Sequence, residues 1–385
     1  MRVTVVDHAR RYTFSPDEPL APGARPSAVA FATLVDECTQ RPPERRVEVD
    51  TTFPGLMPRT ATPIVGLAGI PRAAFSALAT NAYNVPFDVS GDRYVSVRRT
   101  AVIGPQPAFP ASFVPTDLGT IELHSEPVTI RGRIGLSAGA DITPVAGAAV
   151  RLTGIWRTLP VGALPPASDP PRIVSLRPSV YFDRTAAVGQ VRQREMVPVV
   201  GDARTLLEQA LASAVTLRVS NSDGVVPGSV LRVNSAPELS EFMTVLSVEG
   251  GSTAEQPATV TLTYPLRGEH PPGIDVVRVT PQPAGLDIAL DVDAAEGDAC
   301  VLLTAMAAIG PATVIELHGG ASPAEYHLVS RFATVSDADG LYRLPPISRV
   351  AQIELEVTDG VHAPLVPTVS PDYSLPENRV DFTFV

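Results

Sequence analysis

Lysine is absent from all 385 residues, so the 30 basic side chains are all arginine. The chain therefore has no amine for a Schiff base and no ammonium to grip a phosphate. An all-arginine bias fits a GC-rich genome. Cysteine is nearly absent too: Cys38 and Cys300 lie far apart, and two distant thiols do not make a disulfide framework. No run of 18 apolar residues is present to span a membrane as a helix. The opening stretch "MRVTVVDHARRYTF" carries charges at once and no apolar core, so no secretory signal is expected. Synthesis is expected in the cytoplasm without a signal peptide, with release as part of a particle as one route out of the cell. A net charge of −11 disfavours nucleic acid and anionic lipid as partners, because counterion release needs clustered cations.

What is abundant is proline, 40 residues spread along the chain, together with 28 glycines. That much proline breaks long helices and suits short strands joined by turns. Hydrophobic residues make up 44%, in alternating runs of valine, leucine and isoleucine, which excludes a disordered chain. The fold class is mainly β, built as sandwiches of short strands.

Three units are expected. Residues 1–126 form an N-terminal sandwich, with "RVTVVD", "NAYNVPFDVSG", "RYVSVRRTAVI" and "DLGTIELHS" as short alternating strands bounded by turn formers. Residues 127–199 and 283–385 form a second, split sandwich. A weak internal repeat relates the two: Gly69-Ile70-Pro71-Arg72 and Phe87-Asp88-Val89-Ser90 echo Gly340-Leu341-Tyr342-Arg343 and Leu355-Glu356-Val357-Thr358. Residues 200–282 read as an inserted small β-barrel or sandwich of about five strands, tolerated because surface-loop insertions cost little. It contains the one short helix expected, 202–214, with Asp202 as cap and Leu206, Leu207, Ala210 and Leu211 as its apolar stripe. Asp223-Gly224 is a hairpin signal.

Few residues carry chemistry. "TVSDADGLYRLPPI" places Asp337, Asp339 and Gly340 in the order of a calcium loop. An EF-hand register needs oxygen ligands at positions 1, 3, 5 and 12 with Gly at 6. Counting from Asp337 puts Leu341 at 5 and Ser348 at 12, and placing Gly340 at 6 puts Val335 at 1, so both registers fail. A tight turn is expected instead. "GLSAG" matches a nucleophile elbow around Ser137, but Pro144 and Gly147 stand where its helix should follow. A Ser137 hydrolase is the enzyme alternative. His8, His124, His270, His318, His327 and His362 show no i, i+4 pair and no zinc spacing to cysteine, so surface or loop positions are expected. Asp287, Asp291 and Asp293 alternate with Ile288, Leu290 and Val292, the pattern of a strand with a solvated acidic face. Trp156 and Tyr181 are candidates for a sugar-stacking surface, with half-buried packing as the commoner fate of such rings. No catalytic, cofactor-binding or metal-ligating residue is assigned, and no cofactor is expected.

"VTIRGRIG", "TPVAGAAVRLTG" and "TVSDADGLYRLPPI" together resemble the carboxypeptidase-regulatory-like family, a transthyretin-like β-sandwich. Gly132, Gly147, Ala148, Val150 and Leu152 match its opening strands, and Thr334, Asp337, Gly340, Tyr342 and Leu344 its later hairpin. The long segment between the two blocks departs from the family layout. The resemblance implies accessory modules without catalytic residues, arranged as tandem Ig-like or transthyretin-like sandwiches. Architecture and the missing signal also resemble structural proteins of phage tails and bacterial contractile injection particles. The functional expectation is therefore a non-catalytic baseplate, cap or fibre-adaptor element that is oligomeric in its assembly and bound to other particle proteins. The alternative is a carbohydrate- or surface-binding module.

Overall fold

The computed structural model describes residues 3–7, 10–14, 28–50, 57–61, 64–68, 82–103, 116–139, 141–158, 173–176, 188–236, 239–251, 253, 256–285, 287–294, 298–305, 309, 313–317, 323–330 and 332–385. Strands dominate throughout, and no helix occurs among the described residues.

The first unit begins with a hairpin of β1 (Val3–Asp7) and β2 (Arg10–Phe14). Two sheets follow. One contains β3 (Ala28–Asp36), β5 (Met57–Ala61), β6 (Ile64–Ala68) and β9 (Thr116–Leu123) in the order β5-β6-β3-β9, with β3 and β9 parallel. The other contains β4 (Val47–Asp50), β7 (Tyr83–Gly91) and β8 (Tyr94–Ile103) in the order β4-β7-β8. Alternation drives the packing: Val85, Phe87 and Val89 are buried along β7 in one cluster with Leu34, Ile121 and Leu123 from the first sheet. Phe87–Ser90 of the expected repeat lies on β7, while Gly69–Arg72 falls outside the described residues.

The second unit starts with β10 (Thr129–Ala138), β11 (Asp141–Pro144) and β12 (Ala149–Trp156), and then the chain leaves it. The intervening strands are β13 (Ile173–Leu176), β14 (Val188–Pro198), β15 (Arg204–Thr205), β16 (Thr216–Val219), β17 (Val230–Val233), β18 (Glu241–Gly250), β19 (Ala258–Leu262) and β20 (Asp275–Pro283). β21 (Ile288–Ala294), β22 (Cys300–Leu302), β23 (Val314–Leu317) and β24 (Glu325–Ser330) complete the segment. The chain then returns to the second unit with β25 (Ala333–Val335), β26 (Leu341–Arg343), β27 (Gln352–Thr358), β28 (Thr368–Val369), β29 (Glu377–Arg379) and β30 (Phe382–Phe384). There β10 pairs with β11, β26, β29 and β30, facing the sheet β25-β12-β27-β28. Ile130, Ile134, Val150, Leu355, Val357 and Phe384 fill the core between them.

The intervening strands form one 12-stranded sheet that closes on itself twice. The first ring runs β16-β19-β18-β17-β20-β15 and is closed by the Leu206–Val219 bridge and the bond from Leu207 N to Arg218 O, 2.7 Å. Leu217, Leu231, Met243 and Val260 fill this barrel. The second ring runs β17-β20-β14-β23-β24-β18 and is closed where Phe242 pairs with Tyr326. The two barrels share a wall, and β17 serves both because its side chains alternate. Leu231 and Val233 enter the first core, and Val230 the second. The expected border at 199/200 follows the end of β14 and the one at 282/283 falls inside β20, and these two strands hydrogen-bond to each other.

Two local expectations are corrected. Residues 202–214 are extended, with β15 and two isolated bridges in place of the helix. The amides of Leu206, Leu207, Ala210 and Ser213 bond to Ile274, Arg218, His270 and Leu266, so barrel closure satisfies them across the sheet and outcompetes helix propensity. Only Leu206 and Ala210 of the expected stripe are buried, and Leu207 and Leu211 face solvent. Asp202 caps no helix; its carboxylate pairs with Arg204 and accepts from the Arg278 amide. Asp223-Gly224 does form a turn, with Val225 N bonded to Ser222 O at 2.9 Å. The flanking β16 and β17 pair with other strands, not with each other.

Candidate functional site

The sequence-derived candidates separate in space. Asp337 folds back on its own loop: its Oδ1 accepts from the amides of Asp339 (3.0 Å) and Leu341 (2.8 Å). Gly340 follows at φ 74°, a left-handed conformation in which a Cβ would also lie 2.5 Å from the Ile134 carbonyl oxygen. The loop is a tight turn seated on β10. Ser137 lies in the β10–β11 hairpin opposite Ile142, where no helix follows. Asp291 and Asp293 are exposed on β21 while Ile288 and Leu290 are buried. Trp156 ends β12, half-buried, and Tyr181 lies outside the described residues, as do His8 and His318.

Two of the histidines depart from the expected surface or loop positions. His270 and His327 are buried, and each of the four described imidazoles meets a carboxylate: His124–Glu37, His270–Glu241, His327–Glu325 and His362–Asp359. A buried imidazole is tolerated when its ring nitrogen has a hydrogen-bond partner. Glu241 also accepts from the amides of Arg267 and Gly268 at 2.9 and 2.7 Å. Among the described residues no group of three or more His, Cys, Asp or Glu is placed to hold a metal ion.

The densest charged constellation joins all three units. Glu37, just after β3, is 1% exposed, and Arg349, between β26 and β27, is 3% exposed. The Arg349 guanidinium reaches Glu37 Oε1 from Nε (3.0 Å) and Nη2 (2.9 Å), and Asp298 Oδ2 from Nη1 (3.0 Å). Nη1 also donates to the Asp293 carbonyl. His124, just after β9, takes the second Glu37 oxygen through Nδ1 at 2.5 Å. Arginine suits this position because its planar fork serves several acceptors at once, which an ammonium does not. Arg349 itself sits at φ 63°. A second seam lies beside it: Arg45 stacks over Tyr94 at 3.8 Å and donates to the carbonyls of Arg93 and Tyr373. Arg93 bonds Glu126 and the Pro127 carbonyl.

Burial alone would raise the Glu37 pKa, but the His124 hydrogen bond and the Arg349 charge outweigh it and lower it from 4.5 to about 2. An acid depressed on folding stabilises the fold fully above its unfolded pKa and loses that contribution as pH falls toward the folded value. The joint should therefore lose about 3 kcal/mol between pH 4.5 and pH 2. Urea unfolding of the wild type and Glu37→Gln across this window checks it, with the gap between them expected to narrow as pH falls. A constant gap would refute the coupling.

The same core holds both thiols. Burial pushes Cys300 up to about 11, opposed by its contacts with Ser348, and burial with Glu37 and Asp36 nearby raises Cys38 further. Thiolates are the reactive form, so both cysteines should resist Ellman's reagent at pH 8 in native buffer and react together in guanidinium. Prompt reaction of either thiol in the native state would contradict this burial. Held ionised, enclosed and fully engaged, Glu37 and Arg349 act as a fastening between units. Their sequence separation of 312 residues hid them. The available signal was an arginine set inside the apolar stretch "PPISRVAQI".

No protein-family model matches the chain, and no curated protein matches it. Among solved structures, the major pilin subunit BcpA of Bacillus cereus is similar at 8% identity and a TM-score of 0.18, covering 92% of this chain and 99% of the pilin. A variant of the same pilin gives 6% identity and a TM-score of 0.17 over the same shares. Likeness at that TM-score supports no inference about fold or function.

Proposed function

We propose that the chain is a non-catalytic structural component of a large multiprotein particle, of the phage-tail-like or contractile injection kind, serving as a baseplate, cap or fibre-adaptor element. The observation that carries this reading is the enclosed Glu37–Arg349–Asp298 joint, which fastens three β units together. A flexible string of modules needs only short exposed linkers, whereas a part that transmits load between neighbours needs its modules fixed. Partner binding would fall to loops and sheet edges, where unpaired backbone groups accept a strand. The solvent-facing edge strand β11, exposed along its whole length, is one such place.

The test is to isolate the native protein from its host, sediment it, and identify its companions by mass spectrometry. Co-sedimentation with tube and sheath proteins is the expected result. A lone soluble monomer would overturn the particle reading.

A further inference from the structure

The second barrel is not filled to its end. A cavity of about 600 Å³ opens there, lined by Arg194, Met196, Arg232, Phe242, Val314 and Leu328 among others. That volume is in the range of small-molecule sites. Phe242 and Val314 of its lining belong to the apolar cluster that they form with Val230, Val279 and Tyr326, drawn from strands around the ring. Small closed barrels either fill their interior with side chains or hold one small ligand there.

The polar groups decide what such a ligand would be. Arg194 lies on β14 two residues from Met196, and its guanidinium is neutralised by Glu316 of β23. Glu195, between them in sequence, is exposed at the rim. Arg232 differs. On β17 it shares the face of Val230, toward the second barrel, and its Nε is buried without a hydrogen-bond partner. Among the described residues, no carboxylate forms an ion pair with it. A guanidinium has five donors and no acceptor capacity, and leaving its buried Nε without an acceptor is costly. A bound anion would supply the missing acceptors.

We infer that the second barrel is a binding site for a small amphipathic organic anion, with its acidic group on Arg232 and its apolar body against Met196, Phe242, Val314 and Leu328. This goes beyond the structural role and does not depend on it. A particle component can carry a ligand site, and a monomer can as well.

Two dyes of matched shape provide the test on the full-length protein. Anilinonaphthalene sulfonate has an aromatic body with an anionic group, and N-phenyl-1-naphthylamine has the same body without charge. The sulfonate should bind saturably at one site, about tenfold or more tighter than the neutral dye, the scale of a charge-assisted hydrogen bond. Laurate should compete for it. Arg232→Met should remove most of the preference while leaving neutral-dye binding within about twofold. The wild-type comparison stands even if that variant fails to fold. Equal affinity for both dyes, the absence of a saturable site, or an undiminished preference in a folded Arg232→Met protein would each overturn the assignment.

Discussion

Arg349→Met is expected to lower the unfolding free energy by about 3–5 kcal/mol, the usual cost of breaking a buried pair by removing one partner. The side chain it removes hydrogen-bonds both Glu37 and Asp298. Two carboxylates enclosed at 1% and 2% exposure would then lose the guanidinium they share, which favours uptake of a proton by one of them. Equilibrium urea unfolding should show this as an earlier transition. Because the joint ties units together, the variant should also separate one transition into two. The double variant Glu37→Gln with Arg349→Met should recover part of the loss, since a neutral pair strands less charge. Arg349→Lys should behave much more like methionine than like the wild type. One ammonium cannot span Glu37, Asp298 and the Asp293 carbonyl together. A loss below about 1 kcal/mol for Arg349→Met would place the joint among ordinary surface pairs and remove the physical basis for rigid coupling.

What could be read from the sequence follows how local each determinant is. β7 and β8 were legible because an alternation of apolar and polar residues is written within a single strand. The Asp337–Gly340 turn was legible for the same reason, since its hydrogen bonds stay within a few residues. The segment 202–214 misled because Leu206, Leu207, Ala210 and Leu211 imitate a helical stripe. The deciding contacts there are the amides' partners near residues 218 and 270, far along the chain. Closure of both barrels depends on single bridges, Leu206–Val219 and Phe242–Tyr326, with no local signature at all. Glu37 was illegible for an electrostatic reason. An acid after a strand reads as solvated until its distant cation is known, and the same sequence "VDEC" serves either fate. Arg232 posed the opposite difficulty: β17 reads as an ordinary strand with one polar position, and only the curvature of the sheet turns that position inward.

Gly132→Ala is the second large effect, expected to cost about 3 kcal/mol or more by overpacking against backbone. β10 changes partners at this residue. Thr129–Arg131 run parallel to β29, and Ile134–Leu136 run parallel to β30, with Val380 and Asp381 crossing between them. Three bonds hold that crossing: Val380 N to Arg131 O at 2.8 Å, Arg133 N to Asp381 Oδ1 at 2.8 Å, and Tyr342 Oη to Val380 O at 2.7 Å. A Cβ on Gly132 would lie 1.8 Å from the Val380 carbonyl oxygen and 2.6 Å from its carbon, so the crossing strand would have to withdraw. Withdrawal would break the Tyr342 bond and loosen the Tyr342–Phe382 stack, whose rings lie 5.5 Å apart. Gly139→Ala separates this steric effect from simple backbone preference. Gly139 adopts φ 75°, but nothing lies within 4 Å of an added Cβ, so its expected cost is only about 1 kcal/mol. Urea midpoints of the two variants decide the matter. A much earlier midpoint for Gly132→Ala would identify this motif glycine as a point of backbone approach. Equal midpoints would mean that the crossing relaxes freely and that the strand exchange does little to hold the second unit closed.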